Sequence, residues 1–210
     1  MLNLNTIKMK KLFFITLLGL IFFASCETDE DSNQWIVNNV VYEKLNDTSV
    51  KVTGAQQGIE NLFIPASITV TMGDKEKVFE VTEIGNEAFS EKPLLTEVII
   101  SNSIVKIGER AFYNCGSLQE VWIGTGVAEI GDWAFFSNGF NIPEFCILPT
   151  TPPVKGKSSF GKCHLYVKED CLELYQKAWD GYSFGLISDD TYEEMLETIA
   201  SLNDTYKENW

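Results

Sequence analysis

Glu97, Glu120 and Glu144 recur at intervals of 23 and 24 residues, and each stands two positions before a member of a second series, Ile99, Trp122 and Cys146. Asn61 with Phe63, and His164 with Tyr166, extend both series at their ends. Carboxylates held side by side raise one another's pKa, which general acid catalysis exploits. Catalysis needs more than that. No nucleophile motif, oxyanion site or cleft-forming segment accompanies the glutamates, so no enzymatic activity is expected. An exposed ridge of aromatic and apolar groups flanked by carboxylates suits binding instead, by supplying rigid contact area with orienting polar groups. The candidate ligand-binding residues are Phe63, Glu97, Ile99, Glu120, Trp122, Glu144 and Tyr166. A plainer alternative is that the glutamates only face water and Trp122 packs on Ile99. Cys163, His164 and Cys171 lack paired C-x-x-C spacing, so no metal site and no other cofactor is expected.

The wider composition narrows the partners. In 210 residues, 16 Lys+Arg face 30 Asp+Glu, for a net charge of −14, and Arg110 is the single arginine. No basic stripe exists to neutralise phosphates, which excludes nucleic acid as a partner. Hydrophobic residues make up 45% of the chain, enough for an ordinary packed core and too many for disorder.

The first 25 residues read as a signal peptide. Lys8, Lys10 and Lys11 precede an apolar run from Leu12 to Phe23, too short to span a bilayer as a mature helix. The run ends in Phe23-Ala24-Ser25-Cys26, which resembles the lipobox of bacterial lipoproteins, with Phe23 in place of the usual leucine. That resemblance implies cleavage before Cys26, acylation of Cys26 and membrane attachment through this lipid anchor. Residues 26–34, with Glu27-Thr28-Asp29-Glu30-Asp31 directly after Cys26, read as an acidic, solvated tether. The stretch is similar to the export signal of Bacteroidetes-type surface lipoproteins, implying the outer face of the outer membrane. As a calcium loop it fails, for want of a glycine and glutamate at EF-hand spacing.

Something must position the two series, and a repeat does. Val81-Thr82-Glu83-Ile84-Gly85-Asn86-Glu87-Ala88-Phe89 returns as Ile104 to Phe112 and again as Val127 to Phe135. Ile84, Ile107 and Ile130 are 23 residues apart, as are the glycines and the Ala-Phe pairs. Strand-like runs follow: Leu95-x-x-Val98-x-Ile100, Leu118-x-x-Val121-x-Ile123 and, one residue late, Ile142-x-x-Phe145-x-Ile147. An earlier copy is Leu62 to Ile68, followed by a hairpin insertion from Thr69 to Val81 turning at Gly73-Asp74, and a short final strand is Leu165-Tyr166-Val167. No single repeat can bury its apolar set, so the copies must stack. Alternation sends Val98 and Ile100 inward and Ile99 outward, with Phe89, Phe112 and Phe135 stacked inside on the opposite wall. The repeated glycines serve either positive φ or backbone crowding.

The L-x-x-L-x-L spacing resembles a leucine-rich repeat, and V-x-x-I-G-x-x-A-F with its following strand resembles the BspA-like bacterial class. Pro149 to Trp179 is similar to the usual ending of such arrays, except that Lys168 stands where proline is common. The fold class implied is a β-rich solenoid of leucine-rich repeats over residues 35–188, with its parallel sheet on the concave side. Val40–Leu45 and Val50–Thr53 form a hairpin cap, and Cys171 to Trp179 a helical one. Residues 189–210 form an amphipathic helix with a capping box at Asp190 and Glu193. Its apolar face of Tyr192, Met195, Leu196, Ile199, Leu202 and Tyr206 is expected to pack on the array's end or, less simply, to bind a partner.

Function follows as an expectation: non-catalytic binding at the cell surface, with the concave sheet recognising a protein ligand on a host or neighbouring cell, as the resemblance implies. Glycan capture for a nutrient-uptake system, with Trp122 and Tyr166 stacking on sugar rings, is the first alternative. A structural envelope protein docking through its terminal helix is the second. Cys115, Cys146, Cys163 and Cys171 allow three disulfide pairings, and none is expected to be obligatory.

Overall fold

The computed structural model describes residues 33–208 except 57 and 140; the signal peptide, Cys26 and most of the tether lie outside them. Strands run in the order β1 (Gln34–Val37), β2 (Val40–Lys44), β3 (Ser49–Ala55), β4 (Asn61–Ile64), β5 (Ser67–Met72), β6 (Lys75–Ile84) and β7 (Glu97–Ile100). Then come β8 (Lys106–Ile107), β9 (Glu120–Ile123), β10 (Glu129–Ile130), β11 (Glu144–Ile147), β12 (Val154–Lys155) and β13 (His164–Lys168). Helix α1 (Leu172–Ala178), strand β14 (Phe184–Ile187) and helix α2 (Asp189–Glu208) complete the chain.

The repeat winds these into a β-solenoid with two walls. One is a parallel six-stranded sheet in the order β14-β13-β11-β9-β7-β4. The opposite wall is an eight-stranded sheet, β1-β2-β3-β6-β8-β10-β12 with β5 on β6, whose repeat strands are only two residues long. Between the walls lies one core. Val98, Ile100, Val121, Ile123 and Ile147 point into it, as the alternation requires. Phe89 and Phe112 stack at 5.1 Å, Phe112 and Phe135 at 5.0 Å, and Phe160 adds a fourth ring at 5.6 Å from Phe135.

The choice left open for the repeated glycines is resolved in favour of crowding. A Cβ on Gly108 would lie 2.6 Å from the Asn86 nitrogen, and one on Gly131 would lie 2.5 Å from the Glu109 nitrogen. Positive φ falls instead two residues later in each coil, at Glu87, Arg110 and Trp133.

Both ends are closed. At the start, β2 and β3 form the expected hairpin, and Asn46 Oδ1 accepts from the Thr48 and Ser49 nitrogens in its turn. The β5–β6 hairpin turns at Gly73-Asp74, with Met72 paired to Lys75. At the far end Tyr175 of α1 and Trp179, its C-cap, are buried, and their polar atoms donate to the carbonyls of Pro149 at 2.7 Å and Pro153 at 3.0 Å. Helix α2 begins earlier than its capping-box reading. Ser188, rather than Asp190, is the cap, accepting at Oγ from the Thr191 nitrogen at 3.4 Å and donating to Thr191 Oγ1 at 3.0 Å.

Candidate recognition surface

The two series meet as the spacing requires. Glu97, Glu120 and Glu144 pair in register between Asn61 and His164, and Phe63, Ile99, Trp122, Cys146 and Tyr166 form the adjacent row. The row points away from the main core, into a second, separate apolar cluster.

This row is not an exposed ridge. Ile99 is 7% exposed, Trp122 5% and Cys146 3%. The reason is α2, which crosses the strand face rather than capping the end of the array. Its Tyr192, Met195 and Ile199 are buried against Ile99, Trp122, Cys146, Leu148 and Ile187, with Phe63, Tyr166, Leu196 and Leu202 half-buried around them. Dimensions match. Twenty residues of helix span roughly 30 Å, and six strands about 4.8 Å apart span roughly 24 Å. Both ends of the helix are held. Tyr192 donates to the Leu148 carbonyl at 2.8 Å, and Lys168 pairs with Asp189 at 3.2 Å. Further along, Asn203 Oδ1 accepts from the Ala66 nitrogen at 2.7 Å and Tyr206 packs edge-on to Phe63 at 5.9 Å.

The expected exposure of the row is thereby corrected. Ile99 and Trp122 are core residues of the helix–sheet seam, and Phe63 and Tyr166 line its margin. An apolar row on a sheet and an apolar helix face in one chain bury each other because both surfaces leave water at once. Glu97, Glu120 and Glu144 stay half-buried along the flank. Glu120 accepts from the Trp122 indole Nε1 at 2.6 Å, and Glu144 hydrogen-bonds the Tyr166 hydroxyl. The helix's apolar face is likewise committed within the chain.

Cysteine chemistry is muted. Cys115, Cys146, Cys163 and Cys171 are free thiols. Burial pushes Cys115 up to about 11 and Cys163 to about 12, and raises Cys146 further beside Glu120 and Glu144. No group of three or more His, Cys, Asp or Glu side chains converges for a metal ion among the described residues.

A different surface lies at the corner between the Ala-Phe turn and the following loop, where Trp133 is exposed and Arg110, Tyr113 and Phe136 are half-buried. Arg110 and Tyr113 on one coil stand beside Trp133 and Phe136 on the next. The Tyr113 ring stacks on Phe136 at 6.2 Å and on Trp133 at 6.4 Å, while the Arg110 guanidinium lies 5.1 Å from the Trp133 ring. Glu87 holds Arg110 from the preceding coil at 3.6 Å. The Trp133 residue is 39% exposed, and neither it nor Tyr113 nor Phe136 belongs to either buried cluster. Sequence reasoning passed over this facet because these positions vary between repeats. The available signal was the series Glu87, Arg110, Trp133 at 23-residue spacing, which ends in the largest side chain at a position nothing else requires to be apolar.

With this geometry in hand, comparison with known proteins gives a consistent picture. Residues 80–172 match the family model described as a BspA type leucine rich repeat region, in six copies. No curated protein matches the chain. The fold is similar to that of a leucine-rich repeat protein from Bacteroides capillosus ATCC 29799, at 26% identity and a TM-score of 0.56, over 65% of this chain and 99% of that one. It is also similar to a leucine rich cell surface protein from Faecalibacterium prausnitzii A2-165 (22% identity, TM-score 0.51, 75% of this chain and 43% of that one). A leucine-rich repeat protein from Bacteroides ovatus ATCC 8483 matches at 23% identity and a TM-score of 0.54, over 74% of this chain and 37% of that one. The chain therefore spans less than half the length of the latter two. Neither the family model nor these neighbours indicate an enzyme.

Proposed function

From a solenoid whose residues 80–172 match the BspA type leucine rich repeat model, we propose a non-catalytic, adhesin-like binding protein displayed at the bacterial cell surface. The observation that carries this reading is the corner facet of Arg110, Tyr113, Trp133 and Phe136, with the Trp133 indole exposed. Trp, Tyr and Arg dominate the energetics of recognition surfaces because they combine large rigid area with a polar handle. Here they are fixed on stacked coils, so little ordering entropy remains to oppose binding. The strand face, which the sequence had favoured for a protein ligand, is filled by α2, and the glycan alternative loses Trp122 and Tyr166 as stacking platforms for the same reason.

The anchor belongs to the same proposal: acylation at Cys26 holds the protein on the outer membrane, facing outward on its acidic tether. Among the described residues no helix is long and apolar enough to cross a membrane. Metabolic labelling with a palmitate analogue tests the acylation, with label expected on the native chain and absent from Cys26→Ser.

For recognition, the full chain and its Trp133→Ala and Tyr113→Ala variants are applied to one array of matrix proteins and polysaccharides. Loss of a wild-type signal in both folded variants supports the facet. Unchanged signals in both overturn it.

A further inference from the structure

A stacked array holds together locally. Its coil-to-coil staples link Ser103 to Val81, Glu109 to Asn86 and Lys157 to Asp132, residues 22, 23 and 25 apart in the chain. An array whose contacts are all with the next coil can open from either end without disturbing the other. Helix α2 departs from that rule. Near its C-terminus Asn203 Oδ1 accepts from the Ala66 nitrogen, 137 residues away, in the turn between β4 and β5. In its first turn Asp189 pairs with Lys168 of β13, and the Tyr192 hydroxyl donates to the carbonyl of Leu148, just past β11.

The last turn also reaches the N-terminal cap. Tyr206 packs against the main core rather than the seam cluster. Its ring meets Phe63 edge-on, and its hydroxyl, shut off from solvent, lies against the Tyr42 hydroxyl and the Asn38 side chain. Tyr42 is fully buried on β2, opposite Trp35 of β1, and Asn38 and Asn39 make the left-handed turn between those strands. The hairpin that closes the start of the core is thus completed by a residue close to the end of the chain.

Between its two anchors α2 is a continuous helix. Tyr192 and Tyr206 stand roughly 21 Å apart along its axis, with Met195 and Ile199 buried between them on the seam. Lifting only half of the helix would expose apolar rows on helix and sheet together, so partial release is disfavoured.

We infer that α2 is a clasp: it docks and releases as one piece, and by docking it ties the N-terminal hairpin β1–β2 to the last coil, so that the two ends of the array open together. Chain order adds a consequence. The hairpin is made first and its tie almost last, so the start of the solenoid is secured only once Tyr206 is in place. Release uncovers the row of Ile99, Trp122 and Cys146 in the same step.

Hydrogen–deuterium exchange of the full chain, read by mass spectrometry, tests this by substituting at one end and reading at the other. Tyr192→Phe removes the bond to Leu148 at the β14 end, and Asn203→Ala removes the bond to Ala66 at the β4 end. One hydrogen bond lost from a cooperative unit changes its opening roughly twofold to tenfold. Tyr192→Phe should therefore speed exchange at least twofold in Gln34–Lys44, and Asn203→Ala should do the same in Phe184–Ile187, because coupling is reciprocal. Exchange on the opposite wall, at Lys106–Ile107 and Glu129–Ile130, should not change. Tyr206→Ala, which removes the tie itself, should speed both ends at least tenfold. If that variant does not fold, the two single-bond variants decide. Changes confined to each variant's own end, or no change at either, overturn the clasp. So does an equal change over both walls, which would be an ordinary loss of global stability.

Discussion

The Trp122 indole donates to the Glu120 carboxylate at 2.6 Å from beneath α2. The two residues best placed by sequence to contact a ligand therefore satisfy each other inside the protein. The indole N–H would otherwise be buried without a partner, at a cost of about 1–3 kcal/mol. Its ring meanwhile fills the seam between sheet and helix.

Trp122→Ala is accordingly a stability variant. Removing a buried tryptophan should cost about 3–5 kcal/mol, read as a fall in the urea midpoint with little change in slope. A loss below about 1 kcal/mol would mean that α2 does not cover this face in solution.

High pH should unfold the protein, and the sign follows from the direction of the shifts. Burial raises Cys115 to about 11 and Cys163 to about 12, and also raises Cys146, Tyr42 and Tyr175. In the unfolded chain thiols lose protons near pH 8.5 and phenols near pH 10, roughly. Below about pH 8 both states keep these protons and stability is whole. Above it the unfolded state releases protons that the folded state retains, so stability falls steadily towards the folded values. Denaturation midpoints taken from pH 7 to 11 check this; a midpoint that rises over that range contradicts it.

Coil-to-coil stapling offers a gain. Asn86 Oδ1 accepts from the Glu109 nitrogen at 2.9 Å, and Asp132 Oδ1 from the Lys157 nitrogen at 2.7 Å. Glu109, at the equivalent position between them, instead reaches Arg110 at 3.9 Å. Glu109→Asn should install the missing staple, adding about 1 kcal/mol and raising Tm by roughly 2–4 °C. A lowered Tm would show that the short side chain does not reach the next coil.

Much of this architecture was legible because a solenoid repeats its instructions. The spacing of Ile84, Ile107 and Ile130 set the register of every rung, and the Ala-Phe pairs gave the aromatic stack. Phe160 escaped notice because the proline-containing segment before it stretches the period to 25 residues. Strand β14 carries no repeat motif. The destination of α2 was the larger gap. Ile99, Trp122 and Cys146 have the composition of a ligand face and of a buried seam alike, and the two differ only in whether the chain supplies its own cover. Helix length against sheet width would have been the discriminating quantity. Trp133 was hidden for the opposite reason: it departs from the repeat, and departures read as loop variation until the fold lines them up.

The most direct test sets Trp122→Ala and Trp133→Ala side by side against whichever array component the wild-type chain binds. Measured at a temperature where both variants are folded, affinity should fall at least tenfold for Trp133→Ala and stay within about twofold for Trp122→Ala. The reverse ordering would place recognition on the strand face and contradict the account.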